Sequence, residues 1–153
     1  MRLLVDTTYL LPAIGVAIKG ISEQIVLDLR KKDHSLSICT ISLFELAANG
    51  VKYVVEGKLK AEQVLRGTKA VAADDTVTKV AYEDANVLSS AINLRREIAD
   101  FIDCLILSAA VIYCDVLMTE DVDIRRSANK ERIRTIIREI KPDFKILSSR
   151  ELF

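Results

Sequence analysis

The chain is poor in the residues that staple, break or single out a structure. Its three cysteines, Cys39, Cys104 and Cys114, are odd in number, each lies in an apolar run, and none belongs to a CxxC pair. That pattern excludes a disulfide framework and a thiolate zinc site, and we expect buried thiols in a reducing compartment. Five glycines and two prolines in 153 residues, with no block of like charge, exclude long disordered linkers. The one histidine, His34, follows Lys31-Lys32-Asp33 and reads as a solvated turn residue, not a catalyst. No apolar run approaches the roughly 18 to 20 residues of a membrane span, and Met1-Arg2-Leu3-Leu4-Val5-Asp6 meets an acid too early for a signal peptide. We therefore expect a soluble, cytoplasmic protein. Net charge is also missing: 22 Lys and Arg balance 22 Asp and Glu, so the overall field points to no polyanionic partner, although a local basic rim can still hold phosphates.

What is present is 50% hydrophobic and 29% charged sequence, the composition of one globular domain over residues 1–153. Residues 2–5 read as a buried strand, with Thr7-Thr8-Tyr9 and Pro12 marking the exit into a loop. A helical period over residues 21–31 is followed by a second strand, Leu36 to Ile41. Helices follow through Leu46 to Val55, over residues 60–72 and from about Glu83 to Leu94. Residues 101–113 are almost wholly apolar and predict a central helix capped by Asp100. A short strand, Val116 to Thr119, leads to a final helical stretch from Ile124 with the stripe Ile133, Ile136, Ile137 and Ile140. Pro142 stops it, and Phe144 to Leu147 reads as the last strand. The alternation predicts an α/β fold, three layers α/β/α around a mainly parallel sheet of four or five strands.

In such a sheet the strand carboxyl ends and the helix amino ends share one edge, where ligands collect. Asp6 follows Leu3-Leu4-Val5, Glu45 follows the second strand, Glu120 and Asp121 follow Val116 to Met118, and Asp103 lies in the first turn of the central helix. These acids are therefore expected to converge. Carboxylates gathered in one cleft repel one another unless a cation neutralises them. An all-oxygen set suits Mg²⁺ or Mn²⁺, and such a site supports phosphodiester hydrolysis.

Each acid also has a plainer use. Asp103 can contact backbone amides of the turn capped by Asp100, and Asp100 itself is a cap first and an auxiliary ligand second. Ser42-Leu43-Phe44-Glu45 reads as a capping box, with Glu45 reaching back to Ser42. Asp6 can cap the next turn. Asp123, just before Ile124, fits the N-cap of the last helical stretch and leaves Asp121 free for metal. Thr8 and Thr119 are placed to orient a carboxylate or a water. Arg125, Arg126, Lys130, Arg132, Arg134 and Arg138 make the C-terminal helical region basic; Glu131 and Glu139 interleave with them, so a solvated face is the first reading and phosphate contact the second.

At these residues the chain resembles the PIN domain family, whose VapC-like members are toxins of toxin–antitoxin pairs. Leu4-Val5-Asp6-Thr7-Thr8-Tyr9-Leu10-Leu11 resembles the family's first acidic motif and Ser42-Leu43-Phe44-Glu45-Leu46-Ala47 its second. Ile102-Asp103-Cys104-Leu105-Ile106-Leu107-Ser108-Ala109-Ala110 resembles the third, and Asp115-Val116-Leu117-Met118-Thr119-Glu120-Asp121 the fourth. The resemblance spans nearly the whole chain. It implies a Mg²⁺- or Mn²⁺-dependent endoribonuclease in which Asp6, Glu45, Asp103 and Asp121 hold metal and activate water, with Thr8, Asp100, Thr119 and Asp123 as auxiliaries. It also implies an RNA substrate, an antitoxin partner, and a homodimer or higher assembly through an arm over residues 42–72. A PIN nuclease of RNA processing and a catalytically silent PIN-like binding module are the alternatives. Ile124 stands where many relatives carry an aromatic residue, and the basic stretch from Arg125 to Lys141 is longer than a minimal member needs.

Overall fold

Leu3-Leu4-Val5 alternates between two apolar environments, as a strand buried on both faces must. Leu4 packs with Cys39, Val80 and Leu117 on one side of the sheet, while Leu3 and Val5 pack with Leu36, Ile38, Val116 and Met118 on the other. The computed structural model describes residues 1–152 and places this strand, β1 (Arg2–Val5), at the centre of a five-stranded sheet. Its neighbours are β2 (Ser35–Cys39) and β4 (Val116–Met118); β3 (Val77–Val80) and β5 (Lys145–Leu147) form the two edges, in the order β3-β2-β1-β4-β5. Every pairing is parallel.

Helices cover both faces, giving the three layers expected. Against Leu3, Val5, Leu36 and Ile38 pack a 3₁₀ turn (Thr7–Ile14), α1 (Ile25–Lys31) and α2 (Ile41–Val55), with α3 (Ala61–Ala73) outside them. Two close approaches fix that outer helix. A Cβ on Gly50 of α2 would stand 2.5 Å from Val64, and one on Gly67 of α3 would stand 2.1 Å from the Ala13 carbonyl oxygen. Against Leu4 and Leu117 pack α4 (Ala85–Leu94), α5 (Phe101–Tyr113) and α7 (Glu131–Ile140), the last through Ile133 and Ile137. From Cys104 to Val111 every residue of α5 is buried, which explains its lack of a polar stripe. All three cysteines are buried free thiols.

Several boundaries differ from the sequence reading. The strand β3 was not expected, because Val77-Thr78-Lys79-Val80 buries its two valines alone and leaves Thr78 in water, as an edge strand can. The stretch after Asp6 is a 3₁₀ turn, not a loop, and β2 ends at Cys39 so that Ile41 already belongs to α2. The final helical stretch is two helices, α6 (Val122–Ala128) and α7, separated at Asn129 and Lys130. A short α8 (Ser149–Leu152) follows β5. Opposite the strand carboxyl ends, the amino-end rim is closed by ion pairs: Asp115 accepts from Arg2 at 2.7 Å and from Lys141 at 2.9 Å. No helix among the described residues is long and apolar enough to cross a membrane.

Candidate functional site

The backbone of Asp6 leaves β1 by donating its N–H to the Met118 carbonyl of β4 at 3.0 Å, so the carboxyl ends of the two central strands are tied together where both acidic loops begin. The Asp6 side chain is 5% exposed. One oxygen accepts the Thr7 N–H at 2.7 Å, capping the 3₁₀ turn, and the other accepts the Thr119 hydroxyl at 2.6 Å. Thr119 in turn accepts the Asp121 N–H at 3.0 Å. On the other side the Thr7 hydroxyl donates to Glu45 Oε2. A chain of hydrogen bonds thus runs Glu45–Thr7–Asp6–Thr119–Asp121 and gathers acids from β1, α2 and the β4–α6 junction.

Asp103 completes the set from the first turn of α5. It is half-buried and no described residue donates a hydrogen bond to either oxygen. Its pKa is pushed up to about 7, first by burial and then by the negative charges of Asp100, Asp121, Asp6 and Glu45. Burial, with the charges of Glu45 and Asp121, raises Asp6 to about 6 against the opposing effect of its two hydrogen bonds. Glu45 is raised as well, by burial first and by Asp100 and Asp121 in addition. A carboxylate stays ionised in such a place only with a positive charge beside it, and none of these acids forms an ion pair among the described residues. The contrast with Asp115 is direct, since Arg2 and Lys141 hold that carboxyl well below its ordinary range.

Two capping assignments change. The helix α6 begins at Val122, so its N-cap is Asp121, whose Oδ1 accepts from the Asp123 and Ile124 amides at 2.7 and 2.8 Å. Asp123 is exposed, 3.7 Å from Arg126, and outside the cluster. Asp121 is therefore not free of a cap: it caps with one oxygen and faces the other acids. At α2 the capping box is absent: the N-cap residue is Thr40, and Glu45 bonds Thr7 instead of the Ser42 amide. Asp100 caps α5 through the Ile102 amide at 2.8 Å, is exposed, and raises Asp103 from one turn away. Thr119 touches Asp6, whereas Thr8 donates to no acid among the described residues; its neighbour Thr7 does so. Glu120 turns away from the cluster, accepting from Tyr9 at 2.5 Å and from the Ser149 hydroxyl at 2.7 Å, and so braces the 3₁₀ turn against α8. The role of Thr7 was missed from sequence because a threonine after a strand-end acid carries no distinguishing signal.

The donor atoms are all carboxylate oxygens, which suits a hard divalent cation. As the side chains stand, no three His, Cys, Asp or Glu residues among those described are close enough to hold one metal ion. Asp6 accepts hydrogen bonds on both oxygens, and Glu45 and Asp121 on one each.

No known family pattern and no curated protein matches the sequence. Among solved structures, a chain of "VapBC2 from Rickettsia felis bound to a DNA fragment from their promoter" is similar, with a TM-score of 0.62 and 21% identity over 97% of this chain and 98% of that one. A chain of a "Toxin-antitoxin complex from Klebsiella pneumoniae" is similar with a TM-score of 0.54 and 16% identity, over 84% of this chain and 92% of that one. At these identities what is shared is the fold, the parallel sheet between helical layers that is found in chains of both toxin–antitoxin complexes.

Proposed function

We infer that this chain is a PIN-type endoribonuclease dependent on Mg²⁺ or Mn²⁺, and that it is the VapC-like toxin of a toxin–antitoxin pair. The observation that carries the reading is the mutual electrostatic influence of Asp6, Glu45, Asp103 and Asp121 at the strand carboxyl ends, with no Lys, Arg or His among the described residues paired to any of them. The fold shared with chains of two toxin–antitoxin complexes supports the biological setting.

Asp103 accepts no hydrogen bond among the described residues, and Glu45 and Asp121 each keep one oxygen that accepts none, so these three acids, with Asp6 beside them, are the residues that would hold the ion. A divalent cation bound there supplies positive charge that acidifies water and steadies a phosphodiester during in-line displacement. The protein's part is positional. The Thr7 amide and the Thr119 hydroxyl fix both oxygens of Asp6, and the Thr7 hydroxyl fixes Glu45. The Asp103 carboxyl, pushed up to about 7 in the metal-free chain, would be held ionised by a cation beside it and would then serve as a ligand. Phe44, Val51 and Val55 on α2 and Leu65 on α3 are exposed apolar residues, and this arm fits the dimerisation and antitoxin contact that the reading requires.

Cleavage of single-stranded and structured RNA by the native protein and by Asp103→Asn tests the reading. We expect cleavage with Mn²⁺ or Mg²⁺, none in EDTA, and a loss of about 100-fold or more in the variant. Activity indifferent to chelator and substitution rejects it.

A further inference from the structure

The second site is a basic cleft on the flank of the molecule next to the β5 edge. It lies between α6, α7 and the segment leading into β5, and has a volume of about 430 Å³. Arg125, Arg134 and Arg138 line it, over an apolar floor of Ile137, Phe144 and Ile146. It begins one helical turn from the acidic site, because the Arg125 amide donates to the Asp121 carbonyl at 3.2 Å. It ends near the opposite rim, where Lys141, just beyond α7, joins Asp115.

Among the arginines of this region, pairing separates two groups. Arg126 is within 3.7 Å of Asp123, Arg132 within 3.6 Å of Glu97, and Arg125 within 2.8 Å of Glu151. The side chains of Arg134 and Arg138 form no ion pair or hydrogen bond among the described residues. They stand at i and i+4 on one face of α7, a placement that destabilises a helix when both charges are alike. A face kept merely for solubility has no reason to put guanidinium groups without side-chain partners together around a hollow that Ile137, Phe144 and Ile146 also line. Guanidinium forks bind phosphate, and an apolar floor carrying an aromatic ring accepts an unstacked base. A duplex shows its phosphates but hides its base faces, so the combination suits a single strand.

We propose that the cleft formed by Arg125, Arg134, Arg138 and Phe144 binds the backbone and bases of single-stranded RNA and leads the strand to the acidic edge. The choice of RNA as ligand rests on the nuclease reading; the anionic, single-stranded chemistry rests on the cleft. The test is binding of a labelled oligouridine to the full chain in EDTA, measured against salt, so that cleavage plays no part. Arg134→Gln with Arg138→Gln is expected to weaken binding about tenfold or more at moderate salt, and to lower the salt slope by about 1.4, the release expected for two single-strand phosphate contacts. The double variant Arg126→Gln with Arg132→Gln removes the same net charge from paired positions and is expected to bind as the native chain does. The proposal is overturned if the native chain fails to bind oligouridine, if Arg134 and Arg138 can be replaced without loss, if the control pair loses as much, or if a glutamate-rich peptide occupies the cleft more tightly than the RNA. Arginine-dependent binding without Mn²⁺-dependent cleavage would reject the nuclease reading and leave the cleft standing; cleavage with arginine-independent binding would do the reverse.

Discussion

Asp103 combines burial, free oxygens and four like-charged neighbours, and its titration carries a sign that can be measured. In the unfolded chain its proton leaves near pH 4, whereas in the folded protein it leaves near pH 7. Between those values the folded state holds more protons, so stability falls as pH rises through the window, and the penalty is complete above it. In EDTA, Asp103→Asn is therefore expected to raise the stability at pH 8 by about 1–2 kcal/mol, discounted because the group keeps some contact with water. The gain should vanish near pH 4, and thermal melts across pH read it directly. At Thr7 the expectation concerns function: Thr7→Val removes the hydroxyl that holds Glu45 but keeps the amide that holds Asp6. Initial rates with Mn²⁺ should fall about tenfold, in the range for groups that orient ligands, while Thr8→Val leaves them near native. Site residues were legible where chemistry forces a location, as for an acid at a strand's carboxyl end. They were illegible where two like residues compete, Thr7 with Thr8 or Asp121 with Asp123, because a shift of one residue in a turn decides which side chain faces inward.

Among the elements, those with a strong period were read correctly and those at the margin were not. Strands β1 and β4 are covered on both faces and so announce themselves as short apolar runs, while β2 shows as Leu36, Ile38 and Cys39 around a buried Ser37; α5, buried on most sides, stands out as a long apolar run. The edge strand β3 needs only Val77 and Val80 inside, too short a pattern to stand out between two helices. The break between α6 and α7 carries no glycine or proline and lies at Asn129-Lys130, where the chain turns to bring Ile133 and Ile137 onto the core. Packing of the outer arm depends on contacts that no local pattern records. Gly67→Ala places a methyl group against the Ala13 carbonyl, backbone that cannot swing aside. It is expected to cost about 1–3 kcal/mol, as overpacking does. A urea midpoint unchanged from native would show that α3 is free to move off the 3₁₀ turn.

For the molecule as a whole, the parallel sheet sorts charge by edge. At the amino-end rim Asp115 is neutralised by Arg2 and Lys141; at the carboxyl-end rim Asp6, Glu45, Asp103 and Asp121 form no ion pair among the described residues. The first arrangement closes the fold, and the second is costly unless a cation arrives from solution. A balanced total charge of 22 against 22 conceals both this acidic edge and the arginine cleft beside it, which is why composition was silent about either. The central question is whether the acids act together on one divalent ion. Calorimetric titration of the metal-free chain with Mn²⁺ measures this most directly. The native protein is expected to bind in a saturable step that is weakened by about tenfold or more in Asp103→Asn; equal affinity in the two proteins, or no binding by the native one, would contradict it.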